Sequence, residues 1–308
     1  MTGAVPIIRK LAIIGGGLIG SSVARAARHA GAAAEIAIAD IDAGNLATAR
    51  KLEIADSYYG SAVEAVENAD LIILAVPVGV MASVAAAISD GLTAGAILSD
   101  VGSVKSSVLK SVAPKVPAGV HFIPGHPVAG TEQSGPEAGF ASLFDGRWCI
   151  LTPPEDADPA AVEVLSAFWA KLGSKVDIMT ADHHDLVLAI TSHVPHLIAY
   201  NIVGTANDLE TVTRSEVIKY SAGGFRDFTR IAASDPTMWR DVFLNNKDAV
   251  LEMLGRFSED LTALQRAIRW GDGDALFDLF THTRDIRKRI IDAGQDDEAP
   301  DFGRPHEP

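Results

Sequence analysis

The sequence predicts an α/β chain: a parallel-sheet domain over residues 7–180, an all-helical domain over residues 181–293 and a polar, mobile tail over residues 294–308. A change of hydrophobic period carries this prediction. Up to about residue 180, short β-rich runs ("KLAIIG", "EIAIAD", "LIILAVP", "AILSDVG", "HFIPG", "CILTPP", "KVDIMT") alternate with longer helical segments. That is the pattern of a parallel sheet covered on both faces. Beyond Ala181 no strand of that quality recurs; "DAVLEMLGRFSEDLTALQRAIRW" and "ALFDLFTHTRDIRKRIIDA" instead repeat apolar residues at the spacing of one helix face. The closing "GQDDEAPDFGRPHEP" has too little apolar surface to order a helix.

Composition narrows the class of protein. At 308 residues, 48% hydrophobic and 21% charged, the chain has enough apolar material for two cores of a soluble protein. A net charge of -14 argues against nucleic acid or an anionic membrane as partner, and an anionic substrate would need a locally basic pocket. Cys149 is the single cysteine, set in the apolar "WCILT", so a buried strand and a reducing cytoplasm are expected. No secretion signal is read in "MTGAVPIIRK". Residues 71–89 carry no charge and approach transmembrane length, but Pro77 and Gly79 divide them into strand, turn and helix. No zinc or EF-hand spacing occurs, and no metal is expected.

The first strand leads into "GGGLIGSSVARAARHAG", which sets Gly15, Gly17 and Gly20 in G-x-G-x-x-G register at the start of an Ala-rich helix. Gly15 permits the tight turn, Gly17 lets backbone approach a pyrophosphate, and Gly20 lets helix and strand pack closely. Asp40 follows about 20 residues later at the end of "EIAIAD", where a carboxylate can bind an adenosine ribose. Together these describe a Rossmann-type dinucleotide site, and Leu18, Ile19, Val76 and Pro77 complete its candidate cofactor-binding set. No arginine occurs between Asp40 and Arg50, so a 2′-phosphate would meet Asp40 and Asp42 without a counter-charge. NAD is therefore expected, with NADP as the alternative.

Further polar clusters point to chemistry, and each has a structural alternative. "PGHPVAGTE" crowds glycine and prolines around His126, a stiff loop that either aims the imidazole or is a plain surface turn. Ser103, in "SDVGSVKSS", follows a strand at the sheet's ligand-binding edge, or else caps a helix. His193 and His196, in "TSHVPHLIAY", share a helix face, or are core histidines. Arg226 and Arg230, in "GGFRDFTRIAASDPTMW", suit a carboxylate ligand, or pair with Asp227 or Glu132.

"GGGLIGSS", "DVGSVKSS", "GHPVAGTEQSG" with "LFDGRWCILTP", "HDLVLAITSHVPH" and "GGFRDFTRIAASDPTMW" occur in an order that resembles the prephenate and arogenate (cyclohexadienyl) dehydrogenases of tyrosine biosynthesis, over residues 10–290. The resemblance implies NAD(P)-dependent oxidative decarboxylation of prephenate to 4-hydroxyphenylpyruvate, or of arogenate to tyrosine. It implies His126 as the catalytic histidine at the C4 hydroxyl, with Ser103 ordering that hydroxyl. Arg230 would bind a substrate carboxylate, with Arg226, His193, His196, Thr131 and Trp239 around it and Glu132 gating or pairing in the pocket. A homodimer through the helical domain and feedback inhibition by tyrosine are implied in the same way. Rival readings are a β-hydroxyacid dehydrogenase or imine reductase of related fold, and a non-catalytic dinucleotide-sensing regulator. The first resembles enzymes with a catalytic lysine where this chain has "SHVPH"; the second has no use for His126, Ser103 and Arg230 together.

Overall fold

A computed structural model describes residues 5–213 and 219–292; the tail predicted for residues 294–308 lies outside the described residues. The first unit is built from strands β1 (Ile8–Ile14), β2 (Ala33–Ala39), β3 (Ser57–Tyr59), β4 (Leu71–Leu74), β5 (Ile97–Asp100) and β6 (His121–Phe122). They form a six-stranded parallel sheet in the order β3-β2-β1-β4-β5-β6. Helices α1 (Leu18–Ala30), α2 (Ala43–Lys51), α3 (Ala62–Val66), α4 (Val78–Ile88), α5 (Ser106–Val112) and α6 (Pro159–Lys171) complete the first unit. Because successive strand residues point to opposite faces, Leu11 and Ile13 enter one core, with Val23 of α1 and Phe168 and Trp169 of α6. Ala12 and Ile14 enter the other, with Met81, Ala85 and Val108. Two buried faces explain why these strands read as continuous apolar runs.

The strand order reverses at β1, which has β2 on one side and β4 on the other. Open α/β sheets bind ligands at such a switch point, beyond the carboxyl ends of the strands.

The sheet itself departs from the prediction in two places. "CILTPP" and "KVDIMT" do not extend it: β8 (Trp148–Leu151) and β9 (Lys175–Ile178) join β7 (Gly125–Pro127) in a separate three-stranded sheet, with β7 antiparallel to β8. Pro124 interrupts the run after β6 because it cannot donate to the ladder, while its carbonyl takes the N–H of Thr152, beyond β8. The short β3, "SYY", had no apolar run to mark it.

The second unit is helical among its described residues: α7 (Ala181–Leu188), a π-helical turn (Ala189–His193), α8 (Val194–Thr213), α9 (Gly223–Thr229), α10 (Pro236–Asn245), α11 (Lys247–Trp270) and α12 (Gly273–Asp292). Residues Ala181–Asp208 are long and apolar enough to cross a membrane by length and composition. However, its first half carries buried His184, Asp185 and His193, which bond to neighbouring elements, so that part of the run is held within the protein. Trp239 and Val242 of α10 pack on Val104 ahead of α5, joining the two units. On α11 and α12, Trp270 is 76% exposed and Phe277 70%, and Ile268 and Phe280 are exposed beside them in sequence.

Candidate active site

At the switch point the glycine turn has the shape its spacing requires. Gly15 sits at φ +106°, and a Cβ there would run into the Ala75 carbonyl and press on Val76. A Cβ at Gly20 would strike the Gly15 carbonyl, whereas one at Gly17 would meet nothing within 4 Å. Gly17 caps α1 without a side-chain hydrogen bond, so the helix opens at Leu18 and Ile19 with first-turn N–H groups available to an anion. Asp40 lies beside this opening: Oδ2 accepts from Gly16 N (2.8 Å) and Asn45 Nδ2 (3.2 Å), and Oδ1 from Asp42 N (2.9 Å). Arg50 is placed over the Tyr58 ring, 5.6 Å from its centroid. Pro77 caps α4 across the switch point. Open space above Gly17, uncapped amides and a carboxylate at the second strand fit a dinucleotide.

His126 is not in a loop. It is the central residue of β7, paired with Ile150, and only 7% exposed, which corrects both expectations of its setting, an aiming loop and a surface turn. Its rigidity comes from strand pairing and from Lys105. This fully buried lysine donates to the Gly125 carbonyl (2.7 Å) and pairs with the buried Asp100, whose Oδ2 also accepts from Gly102 N. Burial pushes the Asp100 carboxyl up and the Lys105 ammonium down, and their pairing opposes both shifts. The His126 ring meets His184, Nδ1 to Nε2 at 2.8 Å, and His184 Nδ1 meets Asp185 Oδ1 at 2.8 Å. Burial, then the neighbouring His184, Lys105 and His193, holds the His126 imidazole well below its ordinary pKa of 6.5.

Ser103 lies in the loop after β5 and does not cap α5, which opens at Ser106 with Lys105 in the cap position. The α5 amides are bound from the helical unit instead: Asp185 accepts from Lys105 N (2.8 Å) and Ser106 N (2.9 Å). Backbone at Ser103 faces His193, whose Nδ1 lies 3.1 Å from Asn246 Nδ2. His193 is fully buried at the end of the π turn, and its Nε2 has no hydrogen-bond partner. Such turns inside helices recur at functional sites. Trp239 ties the pair of histidines together, stacked on His196 at 3.6 Å and edge-on to His193 at 6.0 Å.

Both arginines have carboxylate partners. Arg230 Nη1 lies 3.1 Å from Glu132 Oε2, with Arg230 about half exposed, and Arg226 pairs with adjacent Asp227 at the surface. Thr131 Oγ1 accepts from Gln133 N at 3.2 Å. Sequence reading missed Asp100, Lys105, His184, Asp185 and Asn246. Lys105 and the adjacent His184–Asp185 lay inside motifs already singled out; their burial was the signal that no local pattern carried.

Comparison with known proteins decides the family. Residues 23–178 match the prephenate dehydrogenase nucleotide-binding domain, and residues 180–282 match the prephenate dehydrogenase dimerization domain. The chain belongs to the prephenate dehydrogenase family. It is 41% identical over 281 residues to a cyclohexadienyl dehydrogenase of Zymomonas mobilis, covering 91% of this chain and 96% of the relative. It is 32% identical to a prephenate dehydrogenase of Bacillus subtilis, covering 89% and 74%. Among solved structures, prephenate dehydrogenase from A. aeolicus in complex with hydroxyphenyl propionate and NAD+ superimposes with a TM-score of 0.86 at 33% identity, covering 92% of this chain and 98% of that one. The glycine turn precedes the first matched residue, so its assignment stands on its own geometry.

Proposed function

We propose that this protein oxidatively decarboxylates prephenate to 4-hydroxyphenylpyruvate, arogenate to tyrosine, or both, with NAD as acceptor and His126 as general base. The observation that carries this reading is a buried histidine with a pKa held well below 6.5, adjacent to Gly125, which packs on the carboxyl end of sheet strand β5. A histidine with a depressed pKa is unprotonated at neutral pH and so can accept a proton.

The residues divide the work. Gly15, Gly17, Gly20, Leu18 and Ile19 would hold the pyrophosphate and Asp40 the ribose, with Val76 and Pro77 across the cleft. When bound, the nicotinamide supplies the acceptor for the hydride leaving C4. His126 takes the hydroxyl proton as that hydride departs, and Ser103 orders the hydroxyl. Loss of CO2 then aromatises the ring as the C–C electron pair moves onto the C4 oxygen, which takes back the proton from His126; aromatisation makes the reaction effectively irreversible. Arg230 is held by Glu132, so a substrate carboxylate can exchange for one already present, and the guanidinium need not be unpaired in the empty site. His193, His196, Trp239, Thr131 and Arg226 are assigned to the surrounding pocket.

The exposed apolar residues of α11 and α12 support a homodimer through the helical unit, and the matched dimerization domain supports it independently. Cys149, buried and unpaired, fits a reducing cytoplasm. Feedback inhibition by tyrosine follows from family resemblance, and tyrosine titration in the same assay tests it.

The deciding experiment measures NADH formation with prephenate and arogenate, each with NAD and NADP, for wild type and His126→Asn. Turnover of either substrate, with kcat lowered roughly 10²- to 10⁴-fold in the variant, is expected. Absence of turnover with both substrates would refute the proposed activity, and near-normal kcat in the variant would remove His126 from catalysis.

A further inference from the structure

The mechanism above uses His126 and leaves unexplained the two ionisable residues buried behind it. His184 and Asp185 lie on α7, in the other structural unit, and reach back to β7 and the N-terminus of α5. The hydrogen bonds along this chain fix where the protons are.

Asp185 is the starting point. Oδ1 accepts from Lys105 N and lies 2.8 Å from His184 Nδ1, while Oδ2 accepts from Ser106 N. Burial alone would raise this carboxyl, but hydrogen bonds from His184, Lys105 and Ser106 outweigh it and hold the group below its ordinary value. An ionised carboxylate only accepts, so His184 Nδ1 carries a proton. Burial, opposed by Asp185, lowers the pKa of His184, so its ring is neutral and holds that one proton. Its Nε2 is then a bare lone pair, and the atom 2.8 Å away, His126 Nδ1, must donate. His126 is neutral too, so its Nε2 has no proton.

We propose that His184 and Asp185 are positioning residues that lock His126 in the Nδ1–H tautomer, leaving Nε2 as the acceptor for the substrate hydroxyl. This rests on the reading of His126 as base. When Nε2 receives the proton, the new imidazolium keeps its Nδ1–H on His184, and the Asp185 carboxylate at the far end stabilises the added charge. The opposite tautomer would present an N–H to the hydroxyl and could accept nothing. Other ionisable groups facing His126 are Lys105 from the loop after β5, His193 from the π turn and the Cys149 thiol on the paired strand β8; Asp100 pairs with Lys105 from β5. Lys105 and His193 oppose a positive His126, which leaves Asp185 as the anion linked to it by continuous hydrogen bonds.

Nitrogen NMR of 15N-histidine-labelled wild-type protein reads the tautomer directly, with His126→Asn identifying the signal. A protonated Nδ1 and bare Nε2 are expected, and the reverse overturns the proposal. Kinetics supply the second test. His184→Gln can still accept from His126 through its amide oxygen and should keep kcat within about tenfold, whereas His184→Leu should lose roughly 10²-fold or more with substrate KM nearly unchanged. Asp185→Asn removes the stabilising anion, so the acid limb of kcat/KM should move to lower pH while kcat falls. Wild-type kcat and an unmoved acid limb in His184→Leu and Asp185→Asn, with His126→Asn inactive, would refute the relay and leave His126 as base. If His126→Asn remains active, the base assignment itself fails.

Discussion

Lowering pH from 7.5 to 5 should destabilise this protein through His193, by an amount the structure allows to be worked out. The ring is fully buried, and burial, against a smaller opposing pull from Asp185, brings its pKa from 6.5 to about 4. In the unfolded chain the same imidazole protonates near 6.5, so below that pH the unfolded state binds a proton that the folded state refuses. The contribution is therefore fully present above about pH 6.5 and is lost as pH falls toward 4. At about 1.36 kcal/mol per unit, the full loss is roughly 3 kcal/mol, of which roughly 2 kcal/mol is gone by pH 5. Urea unfolding of wild type and His193→Gln at both pH values, at one protein concentration because a dimer is expected, measures it. His126, His184 and His196 are depressed in the same direction and remain in both proteins, so the difference between the two pH dependences reports His193 together with its coupling to those neighbours. Equal losses in the two proteins would show that His193 is not held neutral by the fold.

Asp40→Ser should lower kcat/KM for NAD and narrow its advantage over NADP; a wild type that prefers NADP refutes the assignment of Asp40 to the ribose. Arg230→Ala should raise substrate KM roughly 10- to 30-fold with little change in NAD affinity, and Arg230→Lys should recover only part of the loss because the bidentate fork is gone. Equal losses for both ligands would mark the Glu132 contact as structural. Trp270→Glu and Phe277→Glu should shift the proposed dimer toward monomer in light scattering, and an unchanged mass would place the interface elsewhere.

What was legible in the sequence follows from how local each signal is. The glycine turn, Asp40 and the strands of the first sheet other than β3 are written in contiguous residues, because a tight turn and a doubly buried strand dictate residue type position by position; β3, only half-buried, carries no such signal. The second sheet was not legible: "CILTPP" reads as a strand whichever sheet it joins, and the choice depends on Pro124 ending one ladder. His126 was marked by its prolines and glycine, but its burial is imposed by β8 and Lys105, so a loop was the natural reading. The His126–His184 contact joins residues 58 apart, and no periodicity connects them.

That contact also connects the two units' chemistry to their stability. The proposed base must be neutral at working pH, and burial holds the His126 imidazole well below its ordinary pKa. The arrangement depends on α7 docking against α5 through Asp185, and on Asn246 reaching from the turn before α11 to the Asp185 carbonyl and His193. Separation of the units would return His126, His184 and His193 to water and raise their pKa values together. Acid that protonates them should therefore loosen the interface before it unfolds either core, and activity should be lost at a higher pH than helical content. Parallel measurement of kcat and far-ultraviolet circular dichroism between pH 7.5 and 4 tests that order; coincident loss would mean the docked units and their cores fail as one.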